Sequence, residues 1–288
     1  RGLVGSEMCI RDRSSSAPSA YLRLLPRQMT DYVMNCRIMS TKASPVIIIP
    51  ARMAANRLPG KPLADIAGKP MICHVWERAM AAAVAPVWVA TDDAEIASVV
   101  RNAGGEAVLT RADHPSGSDR TFEAVSLIDP DGQYNLVLNL QGDLPEMDET
   151  IPSILLRTAT ASGADLTTLV TPASHEEAAR KQVVKAVVSW DEAGDVGRAL
   201  YFSRSAVPHG DAPKWHHVGV YGWRRQALER FVTLPPSPLE QSERLEQLRA
   251  LEAGMHIAVA AVDEAPAGVD TPEDLEATRA RLFAATGG

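Results

Sequence analysis

Three features of the sequence predict an α/β protein with a doubly wound, mostly parallel sheet. From Pro45 onward, short β-branched runs alternate with segments of helical spacing. Ala, Val, Leu and Ile are plentiful while aromatics make up only 5% of the chain, a balance that suits a buried parallel sheet under helices. The first regular segment, Pro-Val-Ile-Ile-Ile-Pro, is apolar throughout between two prolines, as a buried strand is.

The elements follow in order. Residues 45–50 are the first strand, and residues 70–84 carry helical spacing. A second strand at 87–91 precedes a helix from Asp93, whose acidic first turn complements the helix dipole. Gly104-Gly105 stops that helix. A third strand covers 107–109, and a helix covers 119–127. The run Y-N-L-V-L-N-L at 134–140 is the clearest strand in the chain. A helix at 148–162 leads into a strand at 165–171. The remainder is more mixed, with strands at 183–190 and 218–223, a helix at 238–253 and a strand at 256–262. A closing helix spans 271–285, with Pro272 in its first turn. This mixed region is expected to form a smaller, β-rich inserted subdomain.

Residues 1–44 differ from the rest. They hold seven basic residues against three acids and a Ser run at Ser14–Ser16, with no sustained period. They read as a disordered or non-native extension, with Met39 as the expected start, and residues 45–288 as a single domain. Without the extension the balance of 29 basic and 36 acidic residues becomes 22 − 33 = −11. Such an acidic body argues against a nucleic-acid surface. Cys9, Cys36 and Cys73 make neither a disulfide framework nor a metal spacing. No uninterrupted apolar run approaches the ~20 residues of a membrane span. The expectation is a soluble cytoplasmic protein without membrane insertion.

In an open α/β sheet, ligands bind beyond the carboxyl ends of the strands. The loop after the first strand, A-R-M-A-A-N-R-L-P-G-K-P, places Arg52, Arg57 and Lys61 around Gly60. Cations and free backbone donors together are what phosphates need. It is neither a Walker A loop nor a dinucleotide fingerprint. The loop T-R-A-D-H-P-S-G-S-D-R brings Ser116, Gly117 and Arg120 to a helix start; alone it reads first as a turn and an N-cap. The loop L-Q-G-D-L-P sets Gln141 and Asp143 directly after the clearest strand. Asp270 stands before the last helix, in G-V-D-T-P-E-D. Either acid is a helix or turn cap, or the two converge as hard ligands for Mg²⁺ on a triphosphate.

Seven motifs in order carry a family resemblance: P-A-R-x4-R-L-P-G-K-P-L, T-R-A-D-H-x-S-G, V-L-N-L-Q-G-D-x-P, A-L-Y-F-S-R-x2-V-P, H-V-G-V-Y-G, P-S-P-L-E-x2-E-x-L-E-Q-L-R and G-V-D-T-P-E-D-L. The chain resembles the 3-deoxy-manno-octulosonate (Kdo) cytidylyltransferases from about Pro45 to Leu282. The resemblance implies a nucleotide-diphospho-sugar transferase-like fold and transfer of CMP from CTP to the anomeric hydroxyl of Kdo for lipopolysaccharide biosynthesis. It also implies a Mg²⁺ requirement and a homodimer. Arg52 and Lys61 match triphosphate positions, and Arg57 a sugar-acid or phosphate position. Ser116, Gly117 and Arg120 match the CTP loop, and Asp143 and Asp270 the magnesium carboxylates. Gln141, Tyr201, His217, Glu240 and Glu243 match sugar-side positions. Read from the residues alone, Tyr201 serves equally as a core residue, while a satisfied strand histidine for His217 and a solvated helix edge for Glu240 and Glu243 are the lesser alternatives. Leu144 stands where the family usually has an acid. A cytidylyltransferase for a related acidic sugar, such as an 8-amino-Kdo or sialic-acid-like sugar, and a non-catalytic nucleotide-binding relative are the alternatives.

Overall fold

Four consecutive residues with no exposed surface, Val46 to Ile49, form the heart of the first strand, β1 (Pro45–Ala51). A strand with both faces apolar must be covered on both sides. The computed structural model of the protein describes residues 43–54 and 57–285, so the extension lies outside the described residues except for Ala43 and Ser44. After β1 come a short hairpin of β2 (Asp65–Ile66) and β3 (Lys69–Pro70), helix α1 (Met71–Ala81), β4 (Val87–Thr91), α2 (Ala94–Asn102), β5 (Glu106–Leu109), α3 (Gly117–Ile128) and β6 (Leu136–Asn139). Next are α4 (Ile151–Ser162), β7 (Leu166–Ala173), α5 (His175–Ala179), β8 (Lys185–Trp190), β9 (Gly197–Ser203) and β10 (Lys214–Arg224). The described residues close with α6 (Arg225–Thr233), α7 (Pro238–Glu243), α8 (Gln247–Glu252), β11 (Ile257–Ala261) and α9 (Pro272–Ala285).

One nine-stranded sheet runs in the order β5-β4-β1-β6-β10-β7-β11-β9-β8. β5, β4, β1 and β6 are mutually parallel, whereas β10 is antiparallel to β6 and to β7. β11 is parallel to β7. The side chains of Ile47 and Ile49 face α1, α2 and α4 in one apolar cluster. Those of Val46 and Ile48 belong to a second cluster with residues of α3, α6 and α8. The result is a three-layer α/β sandwich.

The expected β-rich subdomain is not set apart from the sheet. β8 and β9 continue it, and the far end curls until Ala186 and Lys185 of β8 also pair with Trp215 and His216 of β10. β10, β7, β11, β9 and β8 thereby close into a ring. Strand direction explains the miss: apolar runs look alike whether a strand enters parallel or antiparallel. The helix expected over 238–253 is two helices, because Arg244 takes a left-handed conformation with φ 56° between α7 and α8. The structure adds α5, α6 and the β2–β3 hairpin, which local periodicity does not announce. Among the described residues, no helix is long and apolar enough to cross a membrane.

Candidate active site

The carboxyl ends of β1 and β6 open into one cavity of about 410 Å³, within the size range of small-ligand sites. Gly60, at φ 71°, turns the first loop into a single 3₁₀ turn that begins with Lys61. That turn aims Lys61 across the cavity. Its ammonium Nζ donates to Asp143 Oδ2 at 2.6 Å and to Asp270 Oδ1 at 3.0 Å. The Arg57 guanidinium holds the other Asp270 oxygen at 3.0 Å. The Val269 amide donates to the Asp143 carbonyl at 3.0 Å, which fastens the two acid-bearing loops together. Gly142 permits this closeness on the other side, since a Cβ there would stand 2.7 Å from the Pro50 carbonyl oxygen.

The capping alternatives resolve by hydrogen bonding. Asp274, not Asp270, accepts from the amides of Asp270 and Thr271 at the start of α9. The Asp270 side chain is thus left to the cations. Two converging carboxylate oxygens, already engaged with an ammonium, are a donor set that fits magnesium, which takes one or two carboxylates and completes its shell with phosphates and water. Among the described residues, no group of three or more His, Cys, Asp or Glu side chains could hold a metal on its own.

The second loop forms the opposite wall. Ser116 caps α3, its hydroxyl accepting from the Asp119 amide, so that the first turn of α3 faces the cavity beside Gly117. Arg120 is buried; it lies 3.0 Å from Asp92 and donates to Thr110 at 2.7 Å. It ties the loop to the ends of β4 and β5. His114 also lines the cavity and was not singled out in the sequence. Its Nε2 is paired with Glu123, which also accepts from the Arg111 amide at 2.9 Å. Burial alone would raise the Glu123 carboxyl; the His114 ring and the Arg111 amide and charge outweigh it and hold it below the usual range. A His nine residues before its Glu leaves no local signature.

Arg52, Arg57, Lys61, Ser116, Gly117, Arg120, Gln141, Asp143 and Asp270 therefore line one cavity. Tyr201, His217, Glu240 and Glu243 do not line it. Glu240 and Glu243, expected to project together toward a sugar, are each held by partners within the chain. Glu240 closes a capping box with Ser237 and accepts from both Nε and Nη2 of Arg249, at 2.8 and 2.5 Å. Glu243 accepts from the Ser203 hydroxyl at 2.7 Å and the Arg204 amide at 3.0 Å. Burial would raise each carboxyl, yet these donors keep both below their ordinary value. Tyr201 is raised, first by burial and then by the neighbouring Glu243.

His217 is a buried histidine of β10, with Thr168 Oγ1 at 2.9 Å from its Nε2 and the Phe202 ring 4.9 Å away. Burial, helped by the charge of His216, lowers its pKa to about 3. The ring stays neutral in the native state while an unfolded histidine protonates near 6.5. Between those values the unfolded chain binds the extra proton, so stability falls as pH drops from about 6.5 toward 3. The expected slope from this one residue reaches about 1.4 kcal/mol per pH unit, and His217→Asn flattens it. Urea midpoints at pH 7.0 and 5.5 check this; equal midpoint losses in both proteins would refute it.

Beside Gln141 lies a buried polar cluster that the sequence reading passed over. Gln141 Nε2 donates to the Gly219 carbonyl at 2.9 Å, in the irregular stretch of β10 just before Tyr221. Tyr221 stands opposite Asn139, whose two side-chain amide atoms are buried without a partner. The Tyr221 hydroxyl reaches Gln247 Oε1 at 3.4 Å, while Gln247 Nε2 is buried and unpartnered. Glu246 accepts from Ser118 at 2.8 Å, its other oxygen is buried without a donor, and burial raises its pKa. Unpartnered buried polar atoms are costly and rarely gather without a ligand to answer them.

A nucleotide-sized cavity at the carboxyl ends of parallel strands, with clustered cations, a helix N-terminus and two converging acids, defines a nucleotidyltransferase. A family model described as cytidylyltransferase matches residues 46–257. The 3-deoxy-manno-octulosonate cytidylyltransferase of Parvibaculum lavamentivorans is 57% identical over 239 residues, covering 83% of this chain and 92% of the relative. That of Azorhizobium caulinodans is 57% identical over 248 residues, covering 85% and 98%. A solved CMP:2-keto-3-deoxy-manno-octonic acid synthetase complexed with CTP superposes with a TM-score of 0.78 at 42% identity, covering 84% of this chain and all of that one. The chain belongs to the 3-deoxy-manno-octulosonate cytidylyltransferase family.

Proposed function

We propose that the cavity is where this enzyme transfers CMP from CTP to the anomeric C2 hydroxyl of Kdo, releasing pyrophosphate. The observation that carries the assignment is the meeting of Lys61, Arg57, Asp143 and Asp270, brought together from three distant loops beside the N-terminus of α3. Arg52 and Lys61 bind the β- and γ-phosphates and neutralise charge as pyrophosphate departs. Ser116, Gly117 and the first turn of α3 receive the nucleotide with backbone N–H groups, and Arg120 fixes that loop beneath it. Asp143 and Asp270 would hold magnesium, which when bound supplies positive charge to the phosphates and acidifies the attacking hydroxyl.

The sugar hydroxyl then attacks the α-phosphorus in line, and the work of the protein is positioning and charge neutralisation. Arg57 faces the sugar acid or a phosphate. The sugar side is Gln141 with the buried cluster of Tyr221, Glu246 and Gln247, and neutral His217 behind it. This assignment replaces Tyr201, Glu240 and Glu243, whose polar atoms are engaged within the chain. Homodimer formation, expected from the resemblance and from the prevalence of two-fold assemblies, is checked by light scattering, where a monomer mass would refute it.

The direct test is pyrophosphate release. It is expected with CTP and Kdo together, and not with UTP, ATP or GTP, nor with CTP alone. Faster release with 8-amino-Kdo or a sialic-acid-like sugar would overturn the choice of acceptor.

A further inference from the structure

Lys61 bridges one oxygen of each of the two acids that would hold a metal. Its Nζ lies 2.6 Å from Asp143 Oδ2 and 3.0 Å from Asp270 Oδ1, and its side chain is only 14% exposed. Arg57 engages the remaining Asp270 oxygen from the solvent side. An ammonium seated on one oxygen of each acid repels a divalent cation approaching the same pair and competes with it for their lone pairs. The two acids are also too close to remain uncompensated in a half-buried site. We infer that Lys61 is a displaceable internal counter-ion, which neutralises the metal carboxylates until a triphosphate draws it away.

The chain has the mechanical parts for this. Lysine carries a compact charge on a flexible four-carbon stem, unlike the rigid fork of arginine. Its backbone is fixed by the Gly60 turn, so only the side chain need move. A triphosphate in the same cavity offers more negative charge than two carboxylates, and it offers it to Lys61, Arg52 and Arg57 together. Departure of the ammonium uncovers both acids at the moment the phosphates arrive to complete a magnesium shell. Nucleotide and metal thus assist one another's binding, and such coupling is reciprocal. The nucleotide-free enzyme is correspondingly poor at holding a divalent ion. This inference rests on Asp143 and Asp270 being the metal ligands.

The test titrates Mn²⁺ into nucleotide-free protein and counts free ion by electron paramagnetic resonance. Lys61→Gln is expected to bind one Mn²⁺ at least tenfold more tightly than the unmodified chain. Lys61→Arg, which keeps the charge, is expected to bind it as weakly as the unmodified chain. Adding Asp143→Asn to Lys61→Gln should abolish the gain. Circular dichroism establishes that each variant is folded, and Lys61→Ala replaces Lys61→Gln if the latter is not. Equal Mn²⁺ affinity with and without the lysine charge, still lost on Asp143→Asn, would overturn the counter-ion role while leaving the ligands in place. Mn²⁺ binding indifferent to Asp143 and Asp270 in every background would overturn the metal assignment itself.

Discussion

Asp143→Asn and Asp270→Asn are each expected to lower turnover by about a hundred- to a thousandfold, the scale seen when one preorganised electrostatic group is removed from an active site. Each change keeps the volume and removes a hard anionic ligand. The fold should be retained, because both side chains are partly exposed, at 29% and 49%, and neither caps a helix. The loss should shrink when Mg²⁺ is raised, since a weakened site fills at higher ion concentration. Initial rates of pyrophosphate release across a Mg²⁺ series, with urea midpoints as the stability control, decide the matter. A variant with the unmodified rate at limiting Mg²⁺ would remove that residue from the metal site.

Gly142→Ala is expected to damage both stability and activity through a single methyl group. The obstacle is space rather than backbone strain. A Cβ would sit 2.7 Å from the Pro50 carbonyl oxygen, with Ile72 and Ala51 closing the other sides at 3.6 and 3.7 Å. Carbonyl and loop must part, and the neighbouring residue is Asp143. Overpacking of this kind costs about 1–3 kcal/mol. A displacement approaching 1 Å at a reacting centre costs about a hundredfold in rate. The urea midpoint should therefore fall together with turnover, while circular dichroism still reports the native fold. Unchanged rate and stability would show that the L-Q-G-D loop is not wedged against β1.

The parts of the site that could be read from the sequence were those in which one loop states its chemistry locally. Arg52, Arg57 and Lys61 follow a strand of unbroken apolar residues, and Asp143 follows the Y-N-L-V-L-N-L strand. Strand ends point ligands to one edge of the sheet, so these loops had to converge. The capping role of Asp274 could not be told from a capping role of Asp270 until the hydrogen bonds were seen. The partners of Glu240 and Glu243 were hidden for a related reason. A spacing of three makes the two acids neighbours on a helix, but says nothing of Arg249 and Arg204, which take both carboxylates. Glu246 and Gln247 stood in the same quoted motif, and their importance came only from burial without partners. The antiparallel entry of β10 and the break at Arg244 were likewise invisible, being tertiary outcomes of a locally unremarkable pattern.

The closure of the sheet's far end on itself has a consequence for how the protein behaves at high concentration. An open sheet presents an unpaired backbone row at each side, and such rows invite other chains to add on. Here the ring leaves β8 partly paired on its second side, so in the nine-stranded sheet the fully open row belongs to β5. That strand is only four residues long, and Arg101 donates to its Ala107 carbonyl at 2.8 Å. One acceptor of this short outer strand is therefore already taken, which makes it a poorer template for a second chain. Curvature at one margin and a short, partly occupied strand at the other both work against strand-by-strand addition.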